Sequence, residues 1–278
     1  MNLFQRLCVL SLVVFLAGLP LASLRAATVP SCRHPYYPLR AGYQIDYRHP
    51  NQTVLPNVFG TSIEIKAVEI SDDTEALRVT KIEKGLARLT SIAKWKERTR
   101  NEQGEFVTTA KEERLDQTIY CKSEGLQGLG DINMTPEKMA SLAVAKDASD
   151  FLQECGRLKV TSYSGVYLPK LLTAKSEWKN TFQITRAMQP TDVNGCTFDL
   201  TTSSTYKALG AHKIKVAKKT YIGIAVAVTT ELRGTSSRYG TIEKTFEPRV
   251  AYWVKGLGLV QISNPDASIR MSTDRVKP

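Results

Sequence analysis

Nucleophilic hydrolysis needs a Ser or Cys held beside a general base and an oxyanion site. This sequence has no G-x-S-x-G run, and its imidazoles are His34, His49 and His212. His34 and His49 sit in Pro-containing lead-in segments and His212 in a lysine-rich stretch, so none is presented as a base. Metal hydrolysis would call for H-E-x-x-H, paired histidines at ligand spacing or a D-x-D-x-D-G loop, and none occurs. The glycines of 125–130 and 256–258 lack the Lys-Ser/Thr ending of a phosphate loop and read as turns. Paired carboxylates exist at Asp72-Asp73, Glu112-Glu113 and Asp147/Asp150, yet nothing sets two of them across a cleft, as glycoside cleavage requires. The expectation is a non-enzymatic protein, a hydrolase being the weakest alternative, with no metal and no cofactor.

Side chains suited to binding are better represented. Trp178, Tyr252 and Trp253 are candidates to line a cavity for a hydrophobic or amphiphilic ligand. Lys213, Lys215, Lys218 and Lys219 belong to the densest basic run, with Lys213 and Lys215 sharing one face of a strand opposite Ile214 and Val216. Contact with an anionic lipid or polymer is one use for them; guarding an edge strand against further pairing is the other. No aromatic residues interleave with these lysines, so nucleic acid is not an expected partner.

The first 26 residues predict the compartment. Arg6 gives a positive start, Leu7–Leu19 is almost continuously apolar, and Pro20 precedes small residues up to a cleavage position after Ala26. That is the layout of a secretory signal peptide, and the run is short for a membrane anchor. Cleavage would leave no transmembrane span. It would also remove Cys8, leaving Cys32, Cys121, Cys155 and Cys196, an even number suited to disulfides in an oxidising compartment. Of the three pairings, Cys121–Cys155 is favoured, because the segment between them reads as a self-contained excursion. The formal net charge of +11 falls to +9 without Arg6 and Arg25, which suits anionic surfaces as well as simple solubility.

The elements that must position these residues are mostly strands. Gly42 opens a strand at Tyr43–Arg48; Thr61–Ile70 alternates, Ser71–Asp73 is a turn, and Leu77–Ile82 follows. Leu86–Arg98 is ambiguous: Leu86, Leu89, Ile92 and Ala93 are helically spaced, whereas the neighbouring strands favour a hairpin partner. Phe106–Cys121 reads as one long polar strand. A helix is expected over 136–154, with Thr135 as cap, Pro136 in the first turn, Glu137 at the positive end of the dipole and Gly156 as terminator.

Later strands are expected at Leu158–Tyr163, Trp178–Arg186, Cys196–Tyr206, His212–Val216, Tyr221–Glu231, Tyr239–Glu247, Arg249–Val254 and Leu259–Ser263. In Tyr221–Glu231 the large residues Ile222, Ile224, Val226 and Val228 point one way. Gly223, Ala225 and Ala227 point the other way and leave room for close packing. About a dozen strands with one substantial helix define a mainly β (α+β) fold, a large antiparallel curved sheet or unclosed β-barrel. Residues 27–278 would form one domain, with a helix-containing insert at about 86–155.

Three segments carry a resemblance: Tyr36-Tyr37-Pro38-Leu39 with Gly42, Leu168-Pro169 followed by Trp178, and Tyr252-Trp253-Val254-Lys255-Gly256-Leu257-Gly258-Leu259-Val260. Together they resemble exported bacterial envelope proteins of unknown function that begin YYPL…G and close with YxxKGxGLV. The resemblance implies an open β-barrel around a helix, similar to lipoprotein-localisation factors. It departs from the pattern at Tyr43–Tyr47, where the usual Trp is absent. The expected function is that of an exported cell-envelope protein, secreted or periplasmic, holding a hydrophobic or amphiphilic ligand such as lipid in its curved sheet. The alternative is a structural or assembly protein working on another envelope component.

Overall fold

In a computed structural model of the protein, the described residues are 32–54, 68–101, 103–129, 134–145, 148–186, 196–266 and 269–277. The expected signal peptide lies outside them, as does most of the strand read at Thr61–Ile70. The described strands are β1 (Gln44–Arg48), β2 (Gln52–Val54), β3 (Val68–Glu83), β4 (Leu86–Arg100), β5 (Phe106–Cys121), β6 (Gly125–Gln127), β7 (Lys159–Gly165) and β8 (Leu168–Pro169). They continue with β9 (Glu177–Arg186), β10 (Phe198–Val216), β11 (Lys219–Ser236), β12 (Gly240–Thr245), β13 (Arg249–Val254), β14 (Gly258–Ser263) and β15 (Ile269–Lys277).

All belong to one antiparallel sheet of 15 strands, ordered β7-β9-β10-β11-β13-β14-β15-β1-β3-β4-β5-β6-β8, with β12 on β11 and β2 on β3. The sheet is unclosed, yet its two ends are consecutive stretches of chain, β7 and β8. Across that seam the Gln127 side chain donates to Gly165 O at 3.1 Å, and the Asn180 side chain donates to Gly128 O at 3.0 Å. The result is a near-barrel with a distinct inner face.

The long strands follow from period-two patterning interrupted by bulges. The ambiguous segment at 86–98 is strand β4: Ala87, Leu89, Ser91 and Ala93 are buried on one side, and it pairs along its length with β3 and β5. The turn expected at Ser71–Asp73 is a bulge within β3, with Asp72 at φ 53° and a register shift between Ser71 and Thr74. The two strands expected at 196–206 and 212–216 are one strand, β10, bulged at Leu209–Gly210. The bulge swaps faces. Phe198, Leu200 and Tyr206 look inward, whereas Ile214 and Val216 join Val254 and Val260 in a small outer cluster. That cluster closes over the small-residue side of β11, where a Cβ added to Gly223 would sit 2.4 Å from Ile214 Cδ1.

The expected helix is two: α1 (Pro136–Ala143) and α2 (Ala148–Cys155). Thr135 Oγ1 caps α1 by accepting from the Lys138 amide at 3.1 Å, and the chain leaves the helical path at Ala145, φ 55°. A straight helix over 136–154 would run about 28 Å. Breaking it lets α2 lie back on the sheet, where Phe151 meets Phe198 edge to face at 5.3 Å and Cys155 bonds Cys196. Both helices cover the inner face of β9–β12 through Met139, Ala140 and Phe151.

Disulfides join Cys32 to Cys121 and Cys155 to Cys196, not Cys121 to Cys155 as the sequence suggested. The reason is topological. Cys121 ends β5 at one end of the sheet, beside the N-terminal lead-in, while Cys155 ends α2 against the start of β10. The lead-in is a strap. His34 Nε2 donates to Pro169 O at 2.8 Å while its Nδ1 accepts from the Tyr36 amide, which makes the ring neutral, and burial lowers its pKa. The three motif segments converge at this strap. Gly256 N donates to Pro35 O at 2.8 Å, and the Tyr43 and Tyr47 hydroxyls donate to Leu257 O and Leu259 O. Tyr37 packs against Tyr167 and Trp253.

Candidate functional site

The inner face of β9–β11 carries two apolar clusters separated by a polar band. Phe182, Ile184, Leu200 and Leu232 lie on the helix side; Ala208, Tyr206, Val226 and Val228 lie on the other. Between them run Asn180, Thr202, Ser204 and Thr230, all buried. Ser204 and Thr230 share a hydrogen bond of 2.9 Å, but Asn180 Oδ1 and Thr202 Oγ1 have no partner in the protein. Native proteins rarely leave buried polar atoms unpaired, because each costs about 1–3 kcal/mol.

Two cavities share Leu129 and Met134, and the second of them opens on this band. The first, about 260 Å³, lies against β5 and β7, with Ile119, Tyr163 and Tyr167 in its wall. The second, about 370 Å³, lies between α1 and β10–β11, with Met139, Tyr206, Val228 and Phe246 around it and Ser204 and Thr230 on its floor. Its mouth is polar: Glu247, Arg249 and Arg270 line it, and Arg270 bonds Glu247 at 3.0 Å. An apolar cavity with a few polar groups at floor and mouth suits a molecule with an acyl or other apolar body and a polar end.

A third cavity, about 350 Å³, is of different character, lined by His49, Asp73, Glu75, Trp95 and Glu113. Glu75 is 4% exposed; it accepts a short hydrogen bond from the Ser91 hydroxyl and sits 3.7 Å from His49 Nε2. The order is hydroxyl–carboxylate–imidazole, so the imidazole is not the group that holds Ser91. A Ser-His pair needs the imidazole next to the hydroxyl, and in this arrangement Glu75 stands between them. Lys138 of α1 pairs with Glu113 at 2.6 Å. Among the described residues, no group of three or more His, Cys, Asp or Glu is placed to hold a metal ion.

Burial lowers the His49 pKa, but the Glu75 hydrogen bond, the charges of Asp73 and Glu75 and the Arg270 carbonyl outweigh it, so the value is raised. Asp73 is raised too, by burial and by Glu75 against the opposing pull of His49. A histidine whose folded pKa is raised contributes stability that is full below pH 6.5 and lost as pH climbs through the folded value. His49 therefore makes the melting temperature fall as pH rises above 6.5, whereas His34, held below its ordinary value by burial, makes it rise with pH below 6.5. In a His49→Gln variant that fall should be shallower, as calorimetry across the series would show. The Asp73 contribution runs in the same direction but at more acidic pH.

The expected site residues do not form one site. Trp253 is buried in the core beside Tyr37 and Tyr167, whereas Tyr252, its strand neighbour, faces out toward His212. Trp178 stacks on Tyr206 at 5.1 Å and donates to Tyr167 O at 3.1 Å. Of the three, none lines either apolar cavity. Tyr206, Val228, Leu129 and Met134 do, and sequence reasoning passed over them. Period two marked Val228 as one face of a strand, but only the helix pair reveals what that face meets. Lys213, Lys215, Lys218 and Lys219 are exposed on the β10–β11 hairpin. Val228 lies nine steps along β11 from Lys219, about 30 Å of strand, so these lysines do not serve the cavity mouth.

No family model matches this chain, and no curated protein matches it. Among solved structures, the chain is similar to a Bacteroides fragilis protein described as exported and of YmcC-like fold. The identity is 9% over 88% of this chain and 100% of that one, with a TM-score of 0.37. It is also similar to the hypothetical lipoprotein YmcC from Escherichia coli K12, at 12% identity over 85% of each chain and a TM-score of 0.28.

Proposed function

We propose that this chain is an exported cell-envelope protein that binds an apolar or amphiphilic ligand between α1 and the inner face of its open sheet. The observation that carries the reading is the pair of cavities meeting at Leu129 and Met134, the second of them apolar in its walls and polar at floor and mouth. Burial of a ligand's apolar surface would contribute on the order of 25 cal/mol per Å². The Ser204 and Thr230 hydroxyls on the floor of the second cavity favour a ligand that brings a polar group, such as a hydroxyl or amide. Export is supported by the N-terminal pattern and by two disulfides, which persist in oxidising compartments.

Native mass spectrometry of mature protein from its own envelope fraction tests this, before and after organic extraction. A defined extra mass that extraction removes is expected; a bare polypeptide mass in both samples would sink the reading. Val228→Trp, which fills the second cavity, is expected to abolish that mass while leaving the fold intact by circular dichroism.

Thr202→Val separates ligand from scaffold. It keeps shape and removes a hydroxyl that has no partner, so ligand-free protein is expected to gain about 1 kcal/mol. Ligand mass should be unchanged in the same variant, because Thr202 lines neither cavity. Chemical denaturation and the mass measurement read the two independently.

A further inference from the structure

The turns at one end of the barrel share a composition that the ligand cavities do not explain. Five of them meet there: 84–85, 122–124, 170–176, 217–218 and 255–257. They carry Lys84, Lys122, Lys170, Lys175, Lys218 and Lys255, against Glu124 as the one acid. Lys213, Lys215 and Lys219 stand beside them on the β10–β11 hairpin. None of the four hairpin lysines has an ion-pair partner among the described residues. By contrast, Lys94, Lys96, Arg98 and Lys111 on the far half of the sheet are each paired with a carboxylate. At the opposite end the described turns are mixed, with Glu105, Glu247 and Asp266 alongside Arg238. The barrel is electrically polar along its axis.

The same end exposes apolar side chains. Leu171 is 76% exposed and Ile222 64%, the two most exposed large apolar residues among those described. Leu171 lies on the 170–176 loop, which is tied to β10 where the Ala208 amide donates to Ser176 O at 2.8 Å. Leu209, the next residue, is the bulged position of β10 and is also exposed. Ile222 stands directly across the hairpin from Lys213. Beyond Lys207 the hairpin loses its neighbour β9, and before Gly223 it has no pairing with β13, so its tip projects from the sheet. Guarding that free edge would employ Lys213 and Lys215, but it gives no reason for lysines on four other turns or for bare Leu171 and Ile222.

Exposed apolar side chains ringed by lysines are the chemistry of an anionic bilayer surface. The apolar tips enter the headgroup layer while the lysine stems lie along it and keep their ammonium groups on the phosphates. We propose that this end of the barrel, led by the β10–β11 hairpin and Leu171, docks on an anionic phospholipid membrane. Docking in this orientation leaves the arginine-lined mouth of the second cavity facing away from the bilayer. Each lysine near such a surface is worth roughly fivefold in partitioning.

The test uses mature, delipidated protein, so it stands whatever the cavities hold. Co-sedimentation is measured with vesicles of mixed phosphatidylglycerol and phosphatidylcholine and with vesicles of phosphatidylcholine alone. Binding is expected to the first only, weakening at high salt. The variant with Lys213, Lys215, Lys218 and Lys219 each replaced by Gln should lose roughly 600-fold in partitioning, fivefold for each lysine. A control with Lys94, Lys96, Arg98 and Lys111 each replaced by Gln carries the same net charge and should bind as the parent does. Thermal melts confirm that both variants fold. A nitrobenzoxadiazole label on Leu171→Cys should shift to the blue when the anionic vesicles are added. Failure of the parent to bind, equal binding to both vesicle types, equal loss in the control or an unmoved label would each overturn the proposal.

Discussion

Replacing Cys32 and Cys121 together by Ser is expected to cost about 4–5 kcal/mol of stability, the largest loss from any pair of side chains this small. The cysteines are 89 residues apart, and a cross-link over so long a loop removes much of the entropy of the unfolded chain. The Cys155–Cys196 link spans 41 residues and should be worth about 4 kcal/mol by the same argument. The first pair also does something the second does not. It anchors the lead-in, which carries His34 to Pro169, Pro35 to Gly256 and Tyr37 into the core. Its removal should free the strap as well as loosen the unfolded state. Denaturant titration of each double-serine variant gives the magnitudes, and peptide mapping without reductant gives the pairing. Recovery of a Cys121–Cys155 peptide, or a loss well under 2 kcal/mol for the first pair, would contradict the arrangement.

Trp253→Ala should destabilise by about 3–5 kcal/mol, lowering the melting temperature by roughly 10 °C. The indole is 3% exposed, with ring centroids 5.9 Å from Tyr37 and 5.6 Å from Tyr167. Truncation would leave a void where the strap, the Tyr167 segment between β7 and β8, and β13 converge, and so rigid a junction relaxes little into it. The measurement that matters is stability against ligand mass. A core residue loses stability and keeps whatever mass the folded fraction carries; a cavity-lining residue does the reverse. Retention of stability with loss of mass would return Trp253 to the ligand site.

Trp253 also shows where reading the chain was weakest. Tyr252 and Trp253 are adjacent on a strand, so period two already put them on opposite faces. Which face was inner depended on register with β11 and β14. Strand character itself was plain where alternation was strong, as in β11, and where polar β-formers ran long, as in β5. Leu86–Arg98 stayed ambiguous because its apolar spacing fits both periods, and it was resolved by two flanking strands that offer it hydrogen bonds on both edges. Strand β15 went unread: Ile269–Lys277 has little alternation, and its identity comes from pairing with both β14 and β1. The cavity residues Leu129 and Met134 have no distinctive local signature at all.

The amino-acid sequence determined what acts over a few residues: the alternation that makes strands, the Thr135–Pro136 helix start and the turn glycines at 42 and 256. It also set the stock of side chains, five cysteines without a metal spacing and a lysine-rich hairpin tip without acids. The tertiary structure decided what depends on segments far apart: the partner of each cysteine, the meeting of the lead-in with Leu168-Pro169 and Gly256-Leu257, and the separation of the lysine end from the cavities. The physical reason lies in range. Backbone sterics and side-chain periodicity bias each residue locally and are readable in order along the chain. Pairing over 89 residues, by contrast, is settled by which register and which bulges bury the most apolar surface at once. The bulge at Leu209–Gly210 is the plainest case. One extra residue turns Ile214 and Val216 from the inner face to the outer, and with them the side of the hairpin that shows Lys213 and Ile222.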